Sequence, residues 1–432
     1  MALIVAGIAS DTLSTYTILG NADSSVRLTG LVGLGLLIAS SFAMFARKLV
    51  FGSGPSILYV DVWPWRLFSF FCSWNITVLL YGILRHGLAA TITDVDWILW
   101  TGFAFLVMLS PSRSLFLWLA LTTMALSVWQ SLLGVFRLIT NQGTIFLTTG
   151  GDRYVPSSAS LLVAAGFTIS LLLIFYVVRK PRWKLLIVAV ALLQLTGIVL
   201  SFNRQVWVAL AMSLGLGLFF LFKGRRLRFL VYGGSLLLIG ATAVLLIANS
   251  SFVSVDLPSL LRQRIGNGDF RNLLYDPSVQ FRLSAWNTAL DWTLENPILG
   301  RGWGASFDFS FMVPRTGAIQ VFDGLSPHNT YLWFSAKAGF PALISFLLLM
   351  AALIFKALRR FSRLARVDKR LALVLIGSLL IQLTYLIGAF WWDYLTVAYM
   401  SIPIWINTGV LAVLSSKRLF IEVANQRLSH SV

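Results

Sequence analysis

The chain has 432 residues, 58% of them hydrophobic and only 12% charged, with a mean hydropathy of +0.82. That is more apolar surface than a water-soluble globule carries, so a soluble enzyme or binding module is excluded and a polytopic membrane protein is implied. The formal net charge of +18 says nothing about partners until it is divided between the two sides of a bilayer.

A helical span needs about 20 apolar residues, and helices are expected because backbone polar groups must pair internally where water is absent. In chain order, apolar stretches near 1–19, 28–45, 67–84, 97–110, 115–136, 159–178, 185–200, 206–222, 229–248, 332–355, 371–390 and 397–414 predict twelve spans. The first is the weakest, since Asp11 and the run Thr12, Ser14, Thr15, Tyr16, Thr17 are costly against lipid, and the fourth is short. The fold class is all-α integral membrane, with nine spans in 1–248, a large helical outer loop at 249–330, three spans in 331–415 and a tail at 416–432.

Basic residues set the orientation, because short cytoplasmic loops accumulate Lys and Arg. Arg47–Lys48, Arg179–Lys184, Lys223–Arg228, Lys356–Arg370 and Lys417–Arg418 fall in alternate loops. Both termini are therefore expected in the cytoplasm, while Asn249–Thr330 and the short turn Ser201-Phe202-Asn203-Arg204 face outward. The inner clusters fit an anionic leaflet, at about 1 kcal/mol per cation, and need no nucleic acid. The outward cations are not explained this way.

Cys72 stands alone in the third span and makes neither a disulfide nor a thiolate metal site. No cleavable signal peptide is expected, since the N-terminus lacks a basic region and a small-residue cleavage site. Internal repeats are absent, which weakens a transporter built from matching halves.

Inside the outer segment, Asp256 caps a short helix whose Leu257, Leu260, Leu261 and Ile265 share a face, with Arg262 and Arg264 elsewhere. A second helix starts at Asp276-Pro277, runs to Glu295 and aligns Arg282, Trp286, Ala289 and Thr293. Gly300-Arg301-Gly302-Trp303-Gly304 follows, a turn whose glycines allow close approach to a ligand or simply reverse the chain. The segment closes on Ser326-Pro327-His328-Asn329-Thr330, with Gly339 at the mouth of the next span.

This ordered set resembles the bacterial O-antigen ligase and O-antigen polymerase family. The matching features are Arg204 in a short outer turn, a large outer loop, Arg282 with Trp286, the turn of Asn296, Pro297, Gly300 and Gly302, and His328-Asn329 before a span. The ligases place Gly nine residues or so after His-Asn and then Gly, Thr or Tyr; this chain has Gly339 but Ala342, which leaves ligase and polymerase both open.

The resemblance implies a GT-C-like glycosyltransferase of the inner membrane. It would move a glycan from undecaprenyl diphosphate to an acceptor hydroxyl at the periplasmic face, without cofactor. The acceptor is lipid A core in a ligase and another carrier-linked repeat in a polymerase. Arginine suits the diphosphate, because its planar fork binds phosphate bidentately and keeps its proton. Arg204, Arg282 and His328 are the expected catalytic residues, and Arg301, Asn329, Trp286, Gly302 and Arg264 are expected to bind substrate. His328 serves as general base near neutral pH, and attack opposite the diphosphate inverts the anomeric configuration.

Plainer readings stand beside these. In them Arg204 snorkels to the interface as an anchor, Arg282 pairs with Asp276 or Asp291, and His328 caps a helix. Trp286, Trp292, Trp303 and Trp333 stack on sugars or form an interfacial belt. Asp94-Val95-Asp96 has the pattern of a metal-dependent transferase, although two acids beside Trp97 also keep a turn out of the bilayer. A flippase for lipid-linked glycans is the remaining alternative; it would place its charges inside the spans, whereas these cations cluster outside them. His86 and His430 are expected to be structural.

Overall fold

The computed structural model describes residues 60–109, 111–140, 152–221, 277–312, 319–322, 326–393 and 398–419, together with 17–19, 26–27, 144–145, 395 and 421. Among these, helices dominate: α1 Val62–His86, α2 Leu88–Trp100, α3 Gly102–Leu109, α4 Arg113–Ile139, α5 Ser157–Leu172, α6 Pro181–Leu200, α7 Arg204–Leu221, α8 Pro277–Glu295, α9 Thr330–Val367, α10 Lys369–Gly388 and α11 Ala398–Leu414. Seven stretches are long and apolar enough to span a membrane: α1, α2 with α3, α4, α5 with its terminal π turn Leu173–Val177, α6, α9 and α10. They coincide with seven of the expected spans. α11 is a shorter apolar helix, and α7 occupies the expected span near 206–222.

The spans expected near 28–45 and 229–248 lie outside the described residues, as does most of the one near 1–19. Its last residues, Thr17–Leu19, form a strand (β1) paired with Val26–Arg27 (β2) rather than a helix, as β-branched Thr17 and Ile18 favour. The fourth span is longer than expected: it begins at Leu88 and jogs at Thr101, whose hydroxyl donates to the Ile98 carbonyl at 2.6 Å. β3 Thr144–Ile145 pairs β4 Asp152–Arg153 outside α4 and α5.

Local chemistry sets the boundaries. Gly87, at φ 87, ends α1 where an L side chain is strained. The Ser112 and Asp368 side chains cap α4 and α10 by accepting backbone N–H groups, and Pro181 opens α6.

α9 is two helices joined at Gly339, where φ is 74 and Pro341 follows. Phe334 and Phe346 have ring centroids only 5.1 Å apart, although twelve residues of straight helix would separate them by about 18 Å. The first half, 330–338, therefore folds across the second. It packs on an aromatic cluster in which Phe71, Trp97, Trp303, Trp333 and Phe334 meet edge to face.

At the end of the bundle where α1 begins, a clasp joins α1, α9 and the chain after α11. Asp61 accepts from Lys356 Nζ at 2.5 Å and from the Lys417 backbone N–H at 3.0 Å. Burial alone raises its carboxyl, but those hydrogen bonds and the charges of Lys356 and Arg360 prevail, so the pKa lies below its ordinary 3.8.

Candidate active site

His328 enters α9 from Ser326-Pro327 with φ 50, a left-handed backbone that few non-glycine residues adopt. The strain is held from both sides. Its N–H donates to Ser326 Oγ at 3.3 Å, and Asn329 Oδ1 caps α9 by accepting from the Tyr331 and Leu332 N–H groups at 3.0 and 3.1 Å.

The following residues are tied to the C-terminal end of α10. The Thr330 N–H donates to Ala389 at 2.9 Å, its hydroxyl to the Trp392 carbonyl at 2.9 Å, and the Tyr331 hydroxyl to Leu386 at 2.6 Å. This suture brings Asp393 to His328. Nδ1 lies 3.6 Å from Asp393 Oδ1, within reach of an ion pair but beyond a hydrogen bond, and Nδ1 is buried without a hydrogen-bond partner. The imidazole sits between the rings of Phe281 (5.7 Å) and Trp392 (5.1 Å).

Phe281 places Arg282. On α8 the buried row Ala285, Ala289 and Thr293 faces the first half of α9, and Thr293 Oγ1 donates to Ser335 Oγ at 3.0 Å. Phe281, at the outer end of that row, touches His328 and also Phe309 and Phe322 at 5.0 Å each. Those two residues belong to the hairpin of β5 Phe309–Met312 and β6 Ile319–Phe322. Arg282 is the next residue and is half-buried, so it lies at the His328 end of α8. Trp286, one turn on, meets Phe390 at 5.4 Å.

Arg204 is the first residue of α7 and half-buried. The turn before it is rigid. Phe202 has φ 46 and is 3% exposed, packed with Leu138, Tyr154, Val155 and Leu200, while Trp207 Nε1 donates to Ile198 at 2.9 Å. Ser213 of α7 and Thr384 of α10 share a hydrogen bond at 2.7 Å, and nine residues outward from each lie Arg204 and Asp393. Arg204 thus occupies the same end of the bundle as Asp393.

Two observations recur on these elements. Among the described residues, the non-glycine residues with positive φ are Phe202 and His328, one beside Arg204 and the other a predicted catalytic residue itself. Buried polar atoms without partners include Gln205 Oε1, Trp286 Nε1 and His328 Nδ1, one on each element that carries a predicted catalytic residue.

The expected substrate-binding residues divide. The oxygen of Asn329 is engaged in capping and the residue is 2% exposed, so its position explains a helix start rather than a sugar contact. Arg301 pairs with Glu295, lies over Trp292 at 5.1 Å, and its carbonyl meets His86 Nε2 at 2.8 Å.

Gly302, at φ 89, faces Tyr81, whose ring lies 3.1 Å from where a Cβ would sit. Gly304 faces Thr91, Gly300 faces Lys337, and Gly82 faces the Trp303 carbonyl. The close approach that these glycines permit is therefore chain to chain. Trp303 and Trp333 are fully buried against Trp97, which corrects their reading as sugar-stacking or belt residues. Arg264 lies outside the described residues, as do the helix capped by Asp256 and His430.

Asp94, half of the Asp-x-Asp pattern, is occupied. Its Oδ2 accepts from Lys337 Nζ at 2.6 Å and from the Gly304 N–H at 3.0 Å, and Lys337 also donates to the Ala305 carbonyl. Lys337 is 4% exposed, a charge inside a span that the sequence reading, with its cations all outside, did not anticipate.

Residues 189–347 match the model of the O-antigen ligase family. A comparison with curated proteins finds no match. The O-antigen ligase segment runs from α6 to the second half of α9 and contains Arg204, Arg282, His328 and Lys337, which supports an activity of the ligase or polymerase type and a glycosyltransferase-like enzyme. Asp393 lies beyond the matched residues. The reading from sequence passed over it, and its signal was a lone carboxylate in the apolar outer turn Trp391-Trp392-Asp393.

Proposed function

We propose that the protein transfers a glycan from undecaprenyl diphosphate to an acceptor hydroxyl at the periplasmic face of the inner membrane, as an O-antigen ligase acting on lipid A core. His328, restrained beside Asp393, carries the reading. With Nδ1 as N–H toward the carboxylate, Nε2 is the acceptor that takes the hydroxyl proton. The hydroxyl oxygen bonds to the anomeric carbon as the bond to the diphosphate oxygen breaks, and the electron pair leaves with undecaprenyl diphosphate.

Arg204 and Arg282 meet the charge that grows on that leaving group, and a donor aimed at developing charge accelerates a reaction about 10²–10³-fold. The 3.6 Å gap between His328 and Asp393 suits a resting enzyme, since catalytic hydrogen bonds often tighten only with substrate bound. Attack from the face opposite the diphosphate inverts the anomeric centre and requires no metal. Polymerization, with a second carrier-linked repeat as acceptor, uses the same donor chemistry.

Purified protein in liposomes, given carrier-linked glycan and either lipid A core or a second carrier-linked repeat, tests the reading. Extension of lipid A core is expected; extension of the repeat alone makes the protein a polymerase. His328→Ala and Arg282→Ala should keep the wild-type melting temperature and lose about 10²–10⁴-fold in rate. Wild-type rates in either variant overturn the site, and an NMR-assigned product of retained configuration overturns the single displacement.

A further inference from the structure

One flank of α8 is apolar and uncovered. Starting from the buried row Ala285, Ala289 and Thr293, the positions one residue on, about 100° around the helix, are Trp286, Leu290 and Leu294, and the row continues into Ile298. Leu290, Leu294 and Ile298 are 45%, 71% and 63% exposed. Two residues on, opposite the buried row, lie exposed Asn287, Asp291 and Glu295, and Glu295 is neutralised by Arg301. The helix therefore presents a protein-facing row, a polar row opposite it and an apolar flank between them, the pattern of a helix lying in a membrane interface.

Both ends of the flank meet membrane-spanning helices. Trp286 stacks edge to face with Phe390, 47% exposed, just past the outer end of α10. At the other end the Ile298 carbonyl abuts Gly339, and the Phe340 N–H donates to the Pro297 carbonyl at 2.8 Å. Phe340 and Ile344, 40% and 51% exposed, carry the apolar surface on down the second half of α9.

That junction is deep. Trp74 Nε1 donates to the adjacent Ala338 carbonyl at 2.9 Å, and Trp74 is near the middle of the 25-residue α1, roughly 18 Å along the axis from its outer end. Irregular backbone at such depth persists where its polar groups are satisfied by protein. Here the Arg301 and Gly302 N–H groups donate to Ala336 and Lys337 at 2.8 and 2.9 Å, and the Gly304 N–H to Asp94.

We infer that α8 is an in-plane helix sunk into the outer leaflet, its Trp286–Leu290–Leu294–Ile298 flank in contact with the acyl chains of bilayer lipid, and that the turn after it is re-entrant. The part of the large outer loop that α8 and the turn after it form is thus membrane-embedded. Arg282, on the same helix, is held at the level of lipid headgroups.

Cys72 is the only cysteine, so a Cys72→Ala background accepts single labels. Bimane is attached at Leu294→Cys, Asp291→Cys or Asp308→Cys in vesicles of phosphatidylcholine and phosphatidylglycerol. Quenching by nitroxide-bearing phosphatidylcholine is compared with quenching by aqueous iodide. The lipid-to-iodide ratio at residue 294 should exceed those at 291 and 308 by at least about threefold, as for a half-sunk amphipathic helix. Equal ratios overturn the inference by putting the flank in water. Shielding of residue 294 from both quenchers overturns it by putting protein there, whether a second copy or another part of this chain. Neither result bears on the transfer chemistry, which liposome assays report separately.

Discussion

Two carboxylate pairs lie at the start and in the first half of α9, on residues nine apart, and they are built in opposite ways. Lys337 and Asp94 close at 2.6 Å, with the Gly304 N–H and the Ala305 carbonyl completing their hydrogen bonds. His328 and Asp393 stand 3.6 Å apart, and Nδ1 has no hydrogen-bond partner. A saturated pair has nothing left to offer a ligand, and its energy goes into fixing the backbone around it. The imidazole of a strained residue, with Nδ1 unpartnered, retains hydrogen-bonding capacity for a reaction. The distinction lies in completeness rather than burial, since both pairs are largely shielded.

The largest effect should come from breaking the closed pair. Lys337→Met leaves the partly buried Asp94 without its cation, and removal of one partner of a buried pair costs up to about 3–5 kcal/mol. Thermal unfolding in detergent should show this as a large fall in melting temperature, with much of it restored when Asp94→Asn is added. A Lys337→Met protein as stable as wild type would mean that the pair is not closed in the membrane.

The open pair should respond through rate instead. Asp393→Asn leaves the suture of Thr330 and Tyr331 to α10 in place. The imidazole loses its restraint, and misplacement of a catalytic group by about 1 Å costs roughly 10²-fold. The expected signature is a fall in kcat with little change in KM. In a His328→Ala background the same substitution should do nothing further. Additive losses would show that Asp393 acts by some route other than His328.

The contrast also marks what the sequence discloses. Spans were legible because a run of apolar residues states its own length; seven recur in the structure, five of them within a few residues, while the fourth begins nine residues earlier and α9 runs twelve residues further than expected. α8 was legible from Pro277 at its start and Asn296-Pro297 at its end. Arg204 and His328 stood out as polar residues in short connections and Arg282 as a cation on a helix of the outer segment, and the structure brings His328 and α8 together through Phe281.

Contacts across the sequence were not legible. Asp393 reaches His328 only because Thr330 bonds to Ala389 and Trp392, some sixty residues on, and nothing local to Asp393 records that. The glycine turn misled for the same reason: Gly300, Gly302 and Gly304 suit a ligand and a neighbouring chain segment equally, and only the positions of Lys337, Tyr81 and Thr91 decide. Lys337 was passed over because it lies inside a predicted span, where composition alone gives no hint of Asp94.

The smallest effect is expected at the Asp61 clasp, a closed pair with part of its surface in water. Asp61 is bonded to Lys356 and to the Lys417 N–H, and such partly exposed pairs contribute less than about 1 kcal/mol. Its pKa is depressed below 3.8 in the folded protein, so the unfolded chain takes up a proton first as pH falls. The contribution is therefore complete above the unfolded value and disappears as pH drops through the folded one. The melting temperature of wild type should exceed that of Asp61→Asn slightly at neutral pH, with the gap narrowing below pH 3.8 as wild-type Asp61 is itself protonated. A gap that stays constant into acid would show that the substitution acts on packing at the α1 start rather than on the charge.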